Sequence, residues 1–96
     1  MDQTFKEIKD ALSENCNECK LIDQKIAYIV EFKNKEDAEW FENEIIYPEG
    51  KMENSPIKNV MTFSKEADEF AKVMYGHAYT FEIKDKNKLI DKIKER

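Results

Sequence analysis

KIAYIVEFKNKEDAEWFENEIIY, residues 25–47, reads as a strand, a short polar turn and a helix. Ile26, Tyr28, Val30 and Phe32 fall at every second position, so they share one face of a strand. Ala27 and Ile29 take the other face with Lys25 and Glu31. That predicts one well-buried face and one partly covered face. Asn34 then stands at the N-cap position of a helix, where its side chain can accept from a free N–H. Glu36 and Asp37 follow, favourable at the positive end of the helix dipole. At about 100° per residue, Ala38, Phe41 and Ile45 form the apolar stripe that packs on the strand.

The opposite face of this helix is the informative one. Trp40 lies roughly 200° from Ala38 on the same wheel, and Tyr47 lies two turns further along its line. Glu36, Asp37 and Glu44 surround them, with Glu39 and Glu42 towards the flanks. From Glu36 to Glu49 there are six acidic residues and no basic one. Partner-binding surfaces favour aromatic anchors inside polar rims. The candidate partner-binding set is therefore Trp40, Tyr47, Glu36, Asp37 and Glu44. The competing reading puts Trp40 beneath a neighbouring helix or loop and leaves the acids as a solvated face.

Composition limits the classes. Ninety-six residues make one domain, large enough to bury a modest core without metals or staples. Hydrophobic residues at 41 %, with aromatics spread along the chain, are incompatible with a disordered chain. Residues 1–83 carry 10 basic and 18 acidic side chains, and residues 84–96 carry 6 and 3. An acidic body disfavours general binding to nucleic acid or anionic membranes and suits a basic protein partner. MDQTFKEIKDAL, at the start, lacks the apolar core of a secretory signal. No run reaches the length of a membrane-spanning helix. The expected location is the cytoplasm, or the host cytoplasm for a viral protein, with Cys16 and Cys19 as reduced thiols.

On either side of the central stretch the periodicity changes repeatedly. Phe5, Ile8, Ala11 and Leu12 predict a helix over 3–15. Cys19 to Ile22 reads as a strand turning back into residues 25–32, or as the start of one long strand. PEGKMENSP, residues 48–56, predicts a flexible surface loop: Pro48 stops the helix and Gly50 permits an unusual backbone angle. Residues 57–63 predict a strand with Ile57, Met61 and Phe63 on one face, interrupted by Asn59. Ser64 caps a following helix whose stripe is Ala67, Phe70, Ala71 and Met74, with Gly76 as its C-terminal cap. Residues 77–83 alternate as a strand, with His77, Tyr79, Phe81 and Ile83 on one face. Asp85 caps a last helix, 86–95, built on Leu89, Ile90 and Ile93. The predicted fold class is α+β: a small two-layer sandwich in which helices cover a three- to four-stranded sheet.

Catalytic and metal chemistry find little support. Cys16-x-x-Cys19 supplies two of the four ligands a structural zinc site needs, with His77 the only other strong ligand. As a redox pair it lacks the preceding strand of a thioredoxin-like site. His77 has no partner motif for base catalysis. Two isolated glycines cannot build a phosphate loop. No cofactor, metal or enzymatic activity is expected.

Lys25 to Phe41 resembles part of an RNA-recognition motif, its third strand and second helix. That family's strand runs basic, Gly, aromatic, Gly or Ala, aromatic, β-branched, any residue, aromatic. Here the stretch is Lys25, Ile26, Ala27, Tyr28, Ile29, Val30, Glu31, Phe32, of which Lys25, Val30 and Phe32 match. Ala27 and Ile29 occupy the base-stacking positions, so the stacking platform is absent. Asn34-Lys35-Glu36-Asp37-Ala38-Glu39 resembles the start of the family's second helix. The resemblance implies related α/β layering and does not carry over RNA binding.

The expectation is a small acidic, non-enzymatic protein-binding module that occludes a basic groove. Immunity proteins, antitoxins and phage inhibitors of host nucleases are analogues in size and charge. Two alternatives stand beside it. One is nucleic-acid binding through the sheet and the basic C-terminal helix. The other is a homo-oligomeric component with Trp40 or that helix buried between copies.

Overall fold

The computed structural model describes the backbone at residues 3–16, 18–64 and 77–96, and the side chains there except at 63 and 64. Among these residues the order is α1 (Gln3–Asn15), β1 (Cys19–Asp23), β2 (Tyr28–Phe32) and α2 (Lys35–Trp40). A π turn (Phe41–Ile46) continues α2. Two 3₁₀ turns (Pro48–Gly50, Met52–Asn54), β3 (Ile57–Ser64), β4 (His77–Ile83) and α3 (Lys86–Lys94) complete it. The strands form one antiparallel sheet in the order β1-β2-β4-β3. This is the expected α+β class. The helix expected from Ser64, with Ala67, Phe70, Ala71 and Met74, lies outside the described residues.

Alternation in β2 and β4 decides which face is core. Val30 and Phe32 are fully buried, and Tyr28 nearly so. The register sets Val30 between Leu21 and Tyr79, and Tyr28 opposite Phe81. Against this face lie Ile8, Ala11 and Leu12 of α1, then Ala38, Phe41, Ile45 and Ile46 of α2 and its π turn, then Leu89 and Ile93 of α3. Phe41 is the hub: its ring centroid lies 5.3 Å from Phe32, 5.1 Å from Tyr79 and 5.9 Å from Phe81.

The π turn explains how Ile45 and Ile46 are both buried. Tyr47 N–H reaches back five residues to Glu42 O at 2.8 Å. Such a turn takes in one more residue than an α turn. The 100° spacing used for the sequence therefore fails beyond Trp40.

Four local expectations are corrected. Ile26 does not join the strand face; it is 86 % exposed in the β1–β2 hairpin turn. Asp23 Oδ1 accepts from Lys25 N–H at 2.8 Å and Lys25 adopts φ 74, so the chain turns before β2 begins at Tyr28. The strand motif shared with the RNA-recognition family is thus broken at its first three positions. Asn34 occupies the cap position of α2 without a side-chain cap bond, whereas Asp85 does accept from Lys88 N–H at 3.1 Å. Met61 does not share a face with Ile57. Asn59, at φ 53, sits in a bulge that shifts the register between Lys58 and Met61. Met61 then pairs with Thr80 and is 60 % exposed, while Ile57 pairs with Ile83 and is buried. The segment 48–56, expected as a flexible surface loop, holds two 3₁₀ turns and is tied down at Ser55. Ser55 Oγ donates to Ile45 O at 2.6 Å and accepts from Ile57 N–H at 3.1 Å.

Tyr79 ties β4 to the helix above the core: its hydroxyl donates to Glu42 Oε1 at 2.7 Å and lies 3.4 Å from Ala38 O. Burial, and then the bond to Glu42, raise the phenol well above its ordinary value. The neutral form is favoured in the folded state. Its contribution is therefore complete below the unfolded phenol's value of about 10 and is lost as pH rises through the folded value. Tyr79→Phe should cost about 1 kcal/mol at neutral pH. It should also flatten the decline in melting temperature above about pH 10, where the wild-type unfolded state gives up the proton first. Melting curves across that range check it; parallel wild-type and variant profiles would refute it.

Candidate functional site

α1 ends where α2 begins, and α3 delivers Arg96 to the junction. The end of α1 leaves carbonyls without helical partners and carries the negative pole of its dipole. The first turn of α2 brings Asp37 to the same point. Arg96 Nη1 lies 2.7 Å from Asp37 Oδ1, 3.2 Å from Asn15 O and 3.4 Å from Cys16 Sγ. Its guanidinium also covers the Trp40 ring, 4.7 Å from the centroid. A planar, delocalised cation suits such a site, because it can bond in its plane and stack on its face. Burial alone would lower the Arg96 pKa, but the bond to Asp37 and that carboxylate's charge raise it overall.

This junction redistributes the residues expected on one outer face. Glu36 and Glu44 are exposed, and Tyr47 is 46 % exposed. Trp40 is half-buried, edge-on to Phe41 at 6.3 Å. Asp37 departs from the expected arrangement: it is fully buried and faces Arg96. The wheel carries the signal for this, since Asp37 is four residues before Phe41 and so only about 40° from the buried stripe. Trp40 and Glu44 line one shallow cleft with Lys92, Glu95 and Arg96. Glu36 and Tyr47 lie outside it; Tyr47 has already left helical geometry at φ −122, ψ 60.

Around the cleft the outer face is acidic. Glu39 is engaged at 3.8 Å by Lys35. Among the described residues neither Glu36 nor Glu44 forms an ion pair. The basic segment 84–96 is largely committed internally. Lys86 pairs with Glu7 at 3.1 Å, Lys84 and Lys88 donate to the carbonyls of Glu53 and Asn54, and Arg96 holds Asp37.

Sequence reasoning missed Arg96 and Cys16 as members of this site. No spacing rule links residue 96 to residues 16 and 37; only the packing of α3 beside α1 and the π turn does so. His77 stands apart on β4, opposite Phe32. Among the described residues no group of three or more His, Cys, Asp or Glu is arranged to hold a metal ion. No helix among them is long and apolar enough to cross a membrane. No protein-family model, curated protein or solved structure matches the chain.

Proposed function

We propose that this chain is a small protein-binding module whose outer α2 face docks on a basic surface of its partner. The observation that carries the reading is half-buried Trp40, set in a cleft beside exposed Glu44, with Glu36 and Tyr47 exposed outside that cleft on the same segment. The indole is already fixed by Arg96 and Phe41, so little side-chain entropy remains to be lost on binding. Glu36 and Glu44 supply charge that would speed encounter and set register. Asp37 belongs to the supporting structure and not to the contact. Binding would act by occlusion, covering a basic groove, and the reading assigns no catalytic group. The nucleic-acid alternative is weakened by the internal commitment of Lys84, Lys86, Lys88 and Arg96.

The test compares affinity capture from the cells of origin by wild-type bait and by a Glu36→Lys/Glu44→Lys bait. Both side chains are exposed, so the variant should melt within a degree or two of wild type. Capture of the partner should fall at least about tenfold, and Tyr47→Ala should reduce it further. A partner retained equally by wild-type and charge-reversed baits would refute the reading.

A further inference from the structure

Cys16 follows the last residue of α1, and Cys19 is the first residue of β1. Cys16 is buried at 8 % exposure, and Cys19 is half-buried. Cys19 opens on a surface cleft shared with Lys9, Leu12, Ser13, Lys20 and Leu21. The two thiols are near enough for each to shift the other's proton affinity. Arg96 Nη1 approaches the Cys16 sulfur at 3.4 Å. A permanently charged donor thus sits against one of the two sulfurs and not the other.

That arrangement separates the two thiols chemically. Interaction with the neighbouring Cys19 thiol lowers the Cys16 pKa, burial opposes this, and the Arg96 charge adds to the lowering. Cys19 is pushed the other way, first by the same interaction with Cys16, then by burial and by the charge of Cys16. A sulfur shifted towards the thiolate by an adjacent guanidinium, next to one shifted towards the thiol, is the asymmetry wanted of an attacking and a resolving cysteine.

We propose that Cys16 and Cys19 form a peroxide-reactive dithiol site, in which Cys16 is oxidised and Cys19 closes an intrachain disulfide on it. The oxidant is a small hydroperoxide, which suits a sulfur with so little exposed surface. Cys16 thiolate attacks one peroxide oxygen. The S–O bond forms as the O–O bond breaks, and the departing hydroxide takes a proton to become water. Cys16 is now a neutral sulfenic acid, so the charge that held the Cys19 proton has gone. Cys19 loses that proton to the departing oxygen, its sulfur attacks Cys16 Sγ, and a second water leaves. Two thiols lose two electrons and hydrogen peroxide becomes two waters.

The oxidation state is coupled to the Arg96 junction. A disulfide sulfur carries no charge, so Arg96 loses one of its partners and keeps Asp37 and Asn15 O. Trp40, the only tryptophan, lies against that guanidinium and reports the change in its fluorescence.

The experiment treats the full chain with hydrogen peroxide and follows intact mass, free thiols and non-reducing gel mobility. The expected product has lost both thiols and about 2 Da, stays a single chain, and is restored by dithiothreitol. With Cys19→Ser, dimedone should trap Cys16 as the sulfenic acid. Cys16→Ser should leave Cys19 at least about tenfold less reactive than Cys16 is in Cys19→Ser. Arg96→Gln should slow oxidation of Cys16 about threefold by removing the charge at its sulfur. Chains joined to one another, a mass gain of oxygen in wild type without disulfide, or equal reactivity of the two single cysteines would each overturn the proposal. The wild-type mass measurement decides it even if a serine variant fails to fold.

Discussion

Phe41→Ala should lower the unfolding free energy by about 4 kcal/mol. The ring is 1 % exposed and lies within 6 Å, centroid to centroid, of Phe32, Tyr79 and Phe81. Truncation removes the ring's transfer energy and leaves a cavity that three large neighbours cannot collapse to fill. A domain of this size is stable by roughly 5–15 kcal/mol, so the variant would fold with little margin. With a urea dependence of about 1–3 kcal/mol per molar, the midpoint should fall by about 2 M at unchanged slope. Phe41→Leu, which keeps most of the apolar volume, should cost only about 1–2 kcal/mol. A loss below about 1 kcal/mol for Phe41→Ala would show that the core is not organised around this ring.

Phe41 was legible because its signal is repeated at several levels. It stands three residues from Ala38 and four from Ile45, and it follows a strand whose alternation exposes the matching face. The same holds for α1, β4 and α3, where one period runs unbroken across the element. The misreadings cluster where the period changes. Ile26 continues the alternation of Tyr28, Val30 and Phe32 on paper, but the Asp23 side chain turns the backbone first. Asn59 was visible as an interruption in β3. Its consequence, a bulge that reverses the face of Met61, depends on a left-handed backbone angle that a wheel or ladder cannot show. The adjacent Ile45 and Ile46 hinted at the π turn, since two consecutive apolar residues at a helix end fit poorly into one α stripe.

The site was half legible for the same reason. Glu36, Glu44 and Tyr47 are exposed, and the pattern of charge along α2 was enough to place them on the surface. The environment of Trp40 was not available from its own helix. An indole about 160° from Ala38 points away from the strand, and beyond its edge contact with Phe41 its cover comes from Arg96, far along the chain. Asp37 stood only about 40° from Phe41 on the wheel, but its place in an acidic run masked that signal, and its ion pair with Arg96 carries no periodicity.

Replacing Arg96 by Ala should therefore cost about 3 kcal/mol, far more than loss of a surface arginine. Its side chain is 25 % exposed, but Asp37 is fully buried, so the substitution leaves a carboxylate inside the protein without its nearest cation. Asn15 O and the face of Trp40 lose their cover at the same time. Trp40 emission should shift to the red as water reaches the ring, giving a readout separate from stability. Asp37→Asn removes the charge and keeps the shape. Combined with Arg96→Ala it should be no less stable than Arg96→Ala alone, because the buried carboxylate charge that Arg96 balanced has gone. Additive losses in the double variant would mean that the two residues act independently and that the junction is not an ion pair in any energetic sense. The cycle also bears on binding. If Asp37 only holds Arg96 beneath Trp40, Asp37→Asn should weaken partner capture far less than Glu36→Lys/Glu44→Lys does, despite the greater damage to the fold. A larger loss of capture from the buried residue than from the exposed pair would place the contact at the junction itself.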